Sequence, residues 1–397
     1  MALTETWRWF GPNDPILLQE IKQTGAEEIV TALHHIPVGA VWSTDEILKR
    51  KEIIESEGLR WSVIESIPVH ENIKKRKGNY KSLIENYKTS VSNAGKCGIK
   101  IICYNFMPVL DWSRTNLNVI FRDGSITSSF ESKVFASFDL FILKRDDAEK
   151  DYTPDQIQNA NEYFEGLTTR QKEELTNTIL LGFPGSLESY SLNELKSAIN
   201  DYKGIDKTSL QDNLFELLKE ILPVAEETSI MMAIHPDDPP WPLLGLPRIV
   251  SDRNDIHKIL YVYNSLNSGL AFCTGSLGAG IKNDLVEMAE IFANRINFAH
   301  LRNVNRNESG DFIEENHLDG EIDLYSIMRT LIIEQNRREK KGLINKLLPY
   351  RPDHGHLMIP DKERENIYPG YSLFGRMRGL SELRGMELAI RRSLDLP

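Results

Sequence analysis

Eight short apolar runs recur along the chain, with amphipathic segments between them. Most of the runs are almost continuously apolar, which is typical of parallel strands covered on both faces. Eight alternations of strand and helix favour a (β/α)8 TIM barrel over a doubly wound sheet. The sequence therefore predicts an α/β fold with one TIM-barrel domain over residues 1–397. Its strands are expected at 6–10, 28–35, 60–66, 99–106, 229–236, 269–274, 296–304 and 347–354.

One connection in this pattern is much longer than the others. Residues 107–208 contain no convincing barrel strand, but three helix starts occur there, at Thr153, Thr168 and Ser191. The pair Asp123-Gly124 ahead of them is typical of a tight hairpin turn. Because this segment follows strand four, it leaves the barrel at its carboxyl face, where barrel enzymes carry their active sites. We predict that it forms a mainly helical cap over that face.

The composition narrows the classes of partner. Asp and Glu (58) outnumber Lys and Arg (47), and the formal net charge of -11 argues against nucleic acid. No apolar run is long enough to cross a membrane, and the start of the chain does not read as a signal peptide. The 3 cysteines are too few for a disulfide framework. We expect a cytoplasmic protein, and the oligomeric state stays open, with a homodimer as one option.

Four of the predicted strands end on residue types that bind metals. His235, Cys273, His300 and Asp353 stand at the ends of strands five to eight. Each has an ordinary alternative: a hydrogen-bonded histidine, a small buried thiol, or an aspartate that caps a helix or pairs with an arginine. Together, however, they would lie side by side on one rim of a barrel. Two neutral imidazoles, a thiolate and a carboxylate suit one divalent ion, and ligand softness favours zinc or ferrous iron rather than manganese.

The chain also resembles the D-mannonate dehydratase family. The resemblance is carried by residues 6–12 (TWRWFGP), 33–37 (LHHIP), 299–303 (AHLRN) and 351–355 (RPDHG). It implies a xylose-isomerase-like barrel that dehydrates D-mannonate to 2-dehydro-3-deoxy-D-gluconate in hexuronate and glucuronate catabolism. It also implies one Mn²⁺ or Fe²⁺ ion, held by the same four residues.

The resemblance implies that His354 and Tyr368 are the acid and base residues. An unperturbed imidazole titrates near pH ~6.5 and a phenol near ~10. We therefore assign His354 as the base and Tyr368 as the acid, and the reverse assignment stays open. Their alternative roles are to orient Asp353 and to pack in the loop.

Four further residues are candidates for contacts with the substrate. Arg8 and Arg302 could pair with a carboxylate, or could form ion pairs within the barrel. His317 lies in a polar loop after strand seven, and His35 ends strand two beside His34, so that only one of these two points inward.

Three other functions compete with the dehydratase. A sugar isomerase or epimerase of the same superfamily would usually bind its metal through several carboxylates. A DNA-repair nuclease would need a basic face. A purely structural metal site would be closed and rich in thiolates, without ionisable neighbours such as His354 and Tyr368.

Overall fold

The structure is a computed structural model that describes residues 2–181 and 190–396. Eight parallel strands form a closed barrel in the order β1-β12-β9-β8-β7-β4-β3-β2. The predicted TIM barrel is therefore confirmed, although most of its strands are shorter than the predicted runs. The barrel strands are β1 (Thr4–Arg8), β2 (Glu28–Thr31), β3 (Arg60–Glu65), β4 (Ile101–Tyr104), β7 (Met231–Ile234), β8 (Ser268–Cys273), β9 (Ile296–His300) and β12 (Pro349–Arg351).

Alternation along the strands separates two layers of core. In β4, Ile101 and Cys103 point into the barrel, whereas Ile102 and Tyr104 point outward to the helices. Successive side chains of a strand face opposite sides, so both layers fill from the same apolar run. Burying one large apolar side chain contributes about 1.5–3 kcal/mol. This explains why the strands are apolar on both faces.

A second, smaller sheet lies outside the barrel. It contains β5 (Asn116–Ile120), β6 (Ile126–Phe130), β10 (Asn303–Arg306) and β11 (Phe312–Glu315), in the order β10-β11-β6-β5. The predicted hairpin is confirmed, since β5 and β6 pair antiparallel around a turn in which Gly124 has φ +81°. The prediction of one continuous strand at 296–304 is wrong, because this stretch contains β9 and the start of β10. The chain leaves the barrel after His300 and enters the second sheet at Asn303.

The helices cover the barrel and fill much of the long connection. The three predicted helix starts, at Thr153, Thr168 and Ser191, are confirmed, and each carries a capping box. Ser43 also caps a helix, because its hydroxyl accepts the Glu46 amide, while the Glu46 side chain binds His35 and Lys49. The helices are α1 (Leu18–Gln23), α2 (Thr44–Ser56), α3 (Glu71–Lys75), α4 (Tyr80–Lys96), α5 (Ser132–Ser137), α6 (Pro154–Glu165), α7 (Thr169–Leu180), α8 (Leu192–Asn200), α9 (Lys207–Glu227), α10 (Arg253–Val262), α11 (Thr274–Ala279), α12 (Leu285–Phe292), α13 (Leu324–Lys340) and α14 (Leu373–Ser393).

The segment predicted as a cap lies between β4 and β7 and carries β5, β6 and α5 to α8. Residues 182–189 of that segment lie outside the described residues. Among the helices that are described, none is long and apolar enough to span a membrane.

Candidate metal centre

Three of the predicted metal ligands meet at the carboxyl rim of the barrel. His235 directly follows β7, and Cys273 and His300 are the last residues of β8 and β9. These strands are neighbours in the barrel, and Cys273 is in register with His300. The candidate ligand atoms of the three side chains all lie within 4.8 Å of one another. They are therefore close enough to share a single ion.

The chemistry of the three side chains fits a divalent metal. Imidazole and thiolate are common ligands of transition metals. His235 Nε2 lies 3.2 Å from His300 Nδ1, and His300 Nε2 is buried without a hydrogen-bond partner in the described chain. Buried polar atoms in native proteins usually have a partner. A bound metal would supply one at this position.

The pKa values of His235 and His300 are shifted in opposite directions. Burial lowers the pKa of His235, but a hydrogen bond with Cys273, the Cys273 charge and the carboxylates of Glu65 and Asp353 together raise it to about 9. Burial, reinforced by Arg351, holds the pKa of His300 well below its ordinary value. A ligating imidazole must be neutral, so an ion at this site would displace a proton from His235, whereas His300 would already be neutral.

Asp353 lies beside this cluster but is held by two arginines. Its Oδ2 is 3.7 Å from Cys273 Sγ and 2.8 Å from Arg302 Nε, and its Oδ1 is 2.5 Å from Arg351 Nη1. The residue has φ +63°, in the left-handed region that few non-glycine residues adopt. From the loop just after β12, the carboxylate faces Cys273 and the two guanidinium groups.

A buried network of charges surrounds these residues. The Arg302 guanidinium contacts Asp353 through Nε, Glu314 through Nη1 and Asp238 through Nη2. Arg114 also contacts Asp238 and Glu314. Its Nη1 lies 2.8 Å from Asp238 Oδ1, and its Nη2 lies 2.5 Å from Glu314 Oε1. Removing one member of a buried ion pair typically costs about 3–5 kcal/mol. The network therefore fixes the charged groups of the site in one arrangement.

The two predicted acid and base residues face different parts of the site. His354 follows Asp353, and its Nδ1 lies 3.3 Å from Glu314 Oε1. It lines both a cavity of about 30 Å³ shared with His235 and Asp353 and a cavity of about 100 Å³ shared with Tyr368. The Tyr368 ring packs on Phe10, with 4.3 Å between centroids. His354 is thus the residue common to the two cavities.

The candidates Arg8, at the end of β1, and His35, in the loop after β2 and not at the strand end as predicted, lie on another side of the rim. Arg8 is buried, donates to the backbone carbonyl of Glu65, and has Nη2 3.4 Å from His34 Nε2. His35 is 53% exposed, and its Nε2 lies 2.9 Å from Glu46 Oε2. Both histidines line a larger cavity of about 470 Å³. The pair therefore divides into one histidine that contacts Arg8 and one that contacts α2.

The other two candidates, Arg302 and His317, differ in their access to the site. Arg302 lines the cavity of about 30 Å³ that also contains His235 and Asp353. His317 is buried, and its Nε2 lies 2.7 Å from the Pro352 carbonyl. It lines a separate cavity of about 10 Å³. His317 thus lies against the backbone that precedes Asp353. It does not line the cavity of about 30 Å³ that contains His235 and Asp353.

The 470 Å³ cavity lies next to the cavity of about 30 Å³ that contains His235 and Asp353. Leu180 and Tyr190 from the long connection line it, together with residues that follow β2, β3 and β4. Ser66, Asn105 and Asp111 line both this cavity and the 30 Å³ cavity. The two spaces are therefore adjacent, and the larger one has room for a small polar molecule.

Several residues of the site were not predicted from the sequence. Glu65 ends β3, and its Oε1 lies 3.6 Å from His300 Nε2, so the strand-end rule would have identified it. Tyr371 lines the 30 Å³ cavity three residues after Tyr368. Glu314 lies on β11, and no pattern in the sequence indicates that this strand reaches the site.

Comparisons with known proteins agree with this geometry. A family model described as D-mannonate dehydratase (UxuA) matches residues 3–395. The mannonate dehydratase of Saccharophagus degradans is 48% identical over 384 residues, which cover 97% of each chain.

Solved structures agree as well. The crystal structure of mannonate dehydratase from Streptococcus suis serotype 2 has a TM-score of 0.78 at 34% identity, covering 100% of this chain and 95% of that one. A xylose isomerase-like TIM barrel protein from Mycobacterium smegmatis, in complex with magnesium, has a TM-score of 0.50 at 12% identity, covering 98% of this chain and 97% of that one, and shows the fold alone. The resemblance seen in the sequence motifs is confirmed, and the chain belongs to the D-mannonate dehydratase family.

Proposed function

We propose that this protein is a metal-dependent hydro-lyase that converts D-mannonate to 2-dehydro-3-deoxy-D-gluconate and water. The observation that carries the proposal is the family match over residues 3–395, nearly the whole chain. The buried His235, Cys273 and His300 cluster gives that match a chemical basis. A sugar isomerase or epimerase is not favoured, because the strand ends here offer imidazoles and a thiolate rather than several carboxylates.

His235, Cys273, His300 and Asp353 are the proposed ligands of one divalent ion, Mn²⁺ or Fe²⁺. When bound, such an ion stabilises negative charge that develops on an oxygen of the substrate. The proximity of Asp353 Oδ2 to Cys273 Sγ, 3.7 Å, supports its place in the set. The thiolate makes Fe²⁺ chemically suitable, since soft ligands suit iron better than they suit manganese.

His354 and Tyr368 are the proposed base and acid. The reaction removes the proton on C2, next to a carboxylate, and expels the hydroxyl on C3. His354 is fixed beside Asp353 and lines the cavity of the metal-binding residues, which suits a base for C2. Burial, with the Asp14 carboxylate nearby, raises the pKa of Tyr368 above its ordinary value, so the phenol keeps its proton. A protonated phenol can donate to the leaving hydroxyl.

Arg8, His35, Arg302 and His317 are the proposed contacts to the substrate. His35 lines the 470 Å³ cavity, and Arg302 lines the cavity that contains Asp353. Arg302 can therefore face a substrate carboxylate while it holds the buried acids. His317 lines a separate cavity, and its proposed contribution is indirect, through the Pro352 carbonyl 2.7 Å from its Nε2.

We propose that the protein works in the cytoplasm. Its three cysteines are free and buried, which supports a reducing compartment.

A coupled assay for a 2-keto acid tests the proposed function. We expect product from D-mannonate but not from an aldose, and we expect EDTA to abolish it. Conversion of the aldose, or undiminished turnover after chelation and metal removal, would overturn the proposal.

A further inference from the structure

Glu314 brings the second sheet into contact with the proposed base. It lies on β11, its side chain is buried, and its Oε1 is 3.3 Å from His354 Nδ1. The strand itself is anchored, because the Thr127 hydroxyl donates to the Glu314 carbonyl over 3.2 Å and His356 Nε2 lies 3.2 Å from the same oxygen. The sheet therefore holds the Glu314 backbone, and the ion pairs with Arg114 and Arg302 hold its carboxylate.

The His354 ring is also confined on its other sides. The planes of the Trp112 and Tyr371 rings stand at 88° and 74° to the His354 ring, and their centroids lie 6.2 and 5.2 Å from its centroid. A Cβ atom on Gly370, which has φ +81°, would lie 3.0 Å from His354 Cγ. These neighbours limit where the ring can lie. They do not decide which ring nitrogen carries the proton, whereas a hydrogen-bond acceptor at Nδ1 does.

We infer that Glu314 is a positioning residue for the dehydration, one that accepts a hydrogen bond from His354 Nδ1 and leaves Nε2 as the basic nitrogen. The inference rests on the proposed function, in which His354 removes the C2 proton. A carboxylate or carbonyl on the far nitrogen commonly fixes the tautomer and orientation of a functional imidazole. No metal contact is needed for this role.

The charges around Glu314 support an ionised carboxylate. Burial opposes ionisation, but Arg302, His354 and Arg114 hold the pKa of Glu314 well below its ordinary value. An ionised carboxylate has no proton to donate, so the hydrogen between Glu314 and His354 belongs to Nδ1.

The competing explanation is that Glu314 serves only as a counter-ion for the two arginines. The chain contains a matched control for this role, because Asp238 pairs with the same Arg114 and Arg302. The Asp238 carboxylate accepts hydrogen bonds from these two arginines and from the Ser276 hydroxyl. Glu314→Gln and Asp238→Asn each remove one negative charge from the same pair of arginines, but only the first changes the acceptor at His354.

The experiment measures kcat, KM and bound metal for wild type, Glu314→Gln, Asp238→Asn, His354→Asn and the double variant Glu314→Gln/His354→Asn. We expect Glu314→Gln to lose about 10–100-fold in kcat, clearly more than Asp238→Asn loses, with KM and metal content close to wild type. In the His354→Asn background the same change should cost less than about twofold, because residues that act through one another are not additive. Equal losses in Glu314→Gln and Asp238→Asn, or an undiminished loss in the double variant, would overturn the inference.

Glu314→Asp provides a second test if the glutamine variant does not fold. It keeps the charge for the arginines but shortens the reach toward His354, so its kcat should fall as well. Wild-type kcat in Glu314→Asp would show that charge alone suffices and would overturn the inference. Wild-type protein that fails to dehydrate D-mannonate would instead refute the proposed function, so the two failures are distinguishable.

Discussion

Cys273 supplies the one sulfur among the four proposed metal ligands, and its side chain is completely buried at the end of β8. Cys273→Ala should remove most of the bound metal while the barrel stays folded, because one small side chain contributes little to the core. Cys103→Ala is a matched control, since Cys103 is an equally buried thiol within the barrel core. Metal per chain, measured on protein purified without air, decides the outcome. A Cys273→Ala protein with a full complement of metal would exclude this residue from the site.

His354 and Tyr368 can be separated by isotope exchange. His354→Asn and Tyr368→Phe should each keep the metal and lose about 10²–10⁴-fold in kcat. Tyr368→Phe should still exchange the C2 proton with deuterated solvent, since His354 is intact, whereas His354→Asn should not. Exchange that survives only in His354→Asn would reverse the two roles. Near-normal turnover in either variant would remove that residue from the chemistry.

The extent to which these residues could be predicted depends on where they lie. His235, Cys273 and His300 end neighbouring strands, so the order of strands in the sequence was enough to bring them together. Asp353 was placed at the same rim, but its two arginine partners come from the end of β12 and the segment after β9. Pairings of buried charges depend on the three-dimensional course of several segments, which no local pattern encodes.

Gly355 joins the loop after β12 to the start of α14. An added Cβ atom would lie 2.4 Å from Arg376 N and from Gly375 C, which are backbone atoms that cannot move aside locally. Gly355→Ala should therefore destabilise the protein by about 1–3 kcal/mol, as overpacking typically does. Gly385→Ala, within α14, is the control, since nothing lies within 4 Å of its added Cβ. Thermal melting should show a lower midpoint for the first variant and an equal or higher one for the second.

Residues 107–208 are predicted to act as a lid over the catalytic face. Leu180 and Tyr190, which line the 470 Å³ cavity, support this role. Limited proteolysis should cut within 107–208, and bound substrate or product should slow the cleavage, because a closed lid is less accessible. Cleavage rates that do not respond to either ligand would contradict the prediction.

At the level of elements, the barrel was predictable and the second sheet was not. Most barrel strands lie in apolar runs that are separated by helical segments, which is a local signal. In contrast, β9 and β10 are separated only by Leu301 and Arg302. The two strands and these two residues contain enough buried positions to resemble one continuous strand in the sequence. The break is caused by pairing of β10 with β11, and of β11 with β6 from a distant part of the chain.

For the molecule as a whole, the proposed ion would connect three neighbouring barrel strands and the loop after β12. A ligand that binds only the folded state stabilises it by RT ln(1 + [L]/Kd), about 2.7 kcal/mol at 100 times Kd. Metal-free protein prepared with a chelator should therefore melt at a lower temperature, and Mn²⁺ or Fe²⁺ added after the chelator is removed should restore the midpoint. The restored midpoint should rise further as the metal concentration increases, because the stabilisation grows with the logarithm of the concentration.

The same measurement on variants tests where the stabilising ion binds. Cys103→Ala should respond to metal as the wild type does, whereas Cys273→Ala should lose most of the response, because only the latter lacks a proposed ligand. This comparison does not depend on activity, so it distinguishes loss of metal from loss of a catalytic group such as His354. An equal shift in midpoint for both variants would mean that the ion stabilises the fold from another site. In that case the cluster of His235, Cys273 and His300 would not be the metal centre.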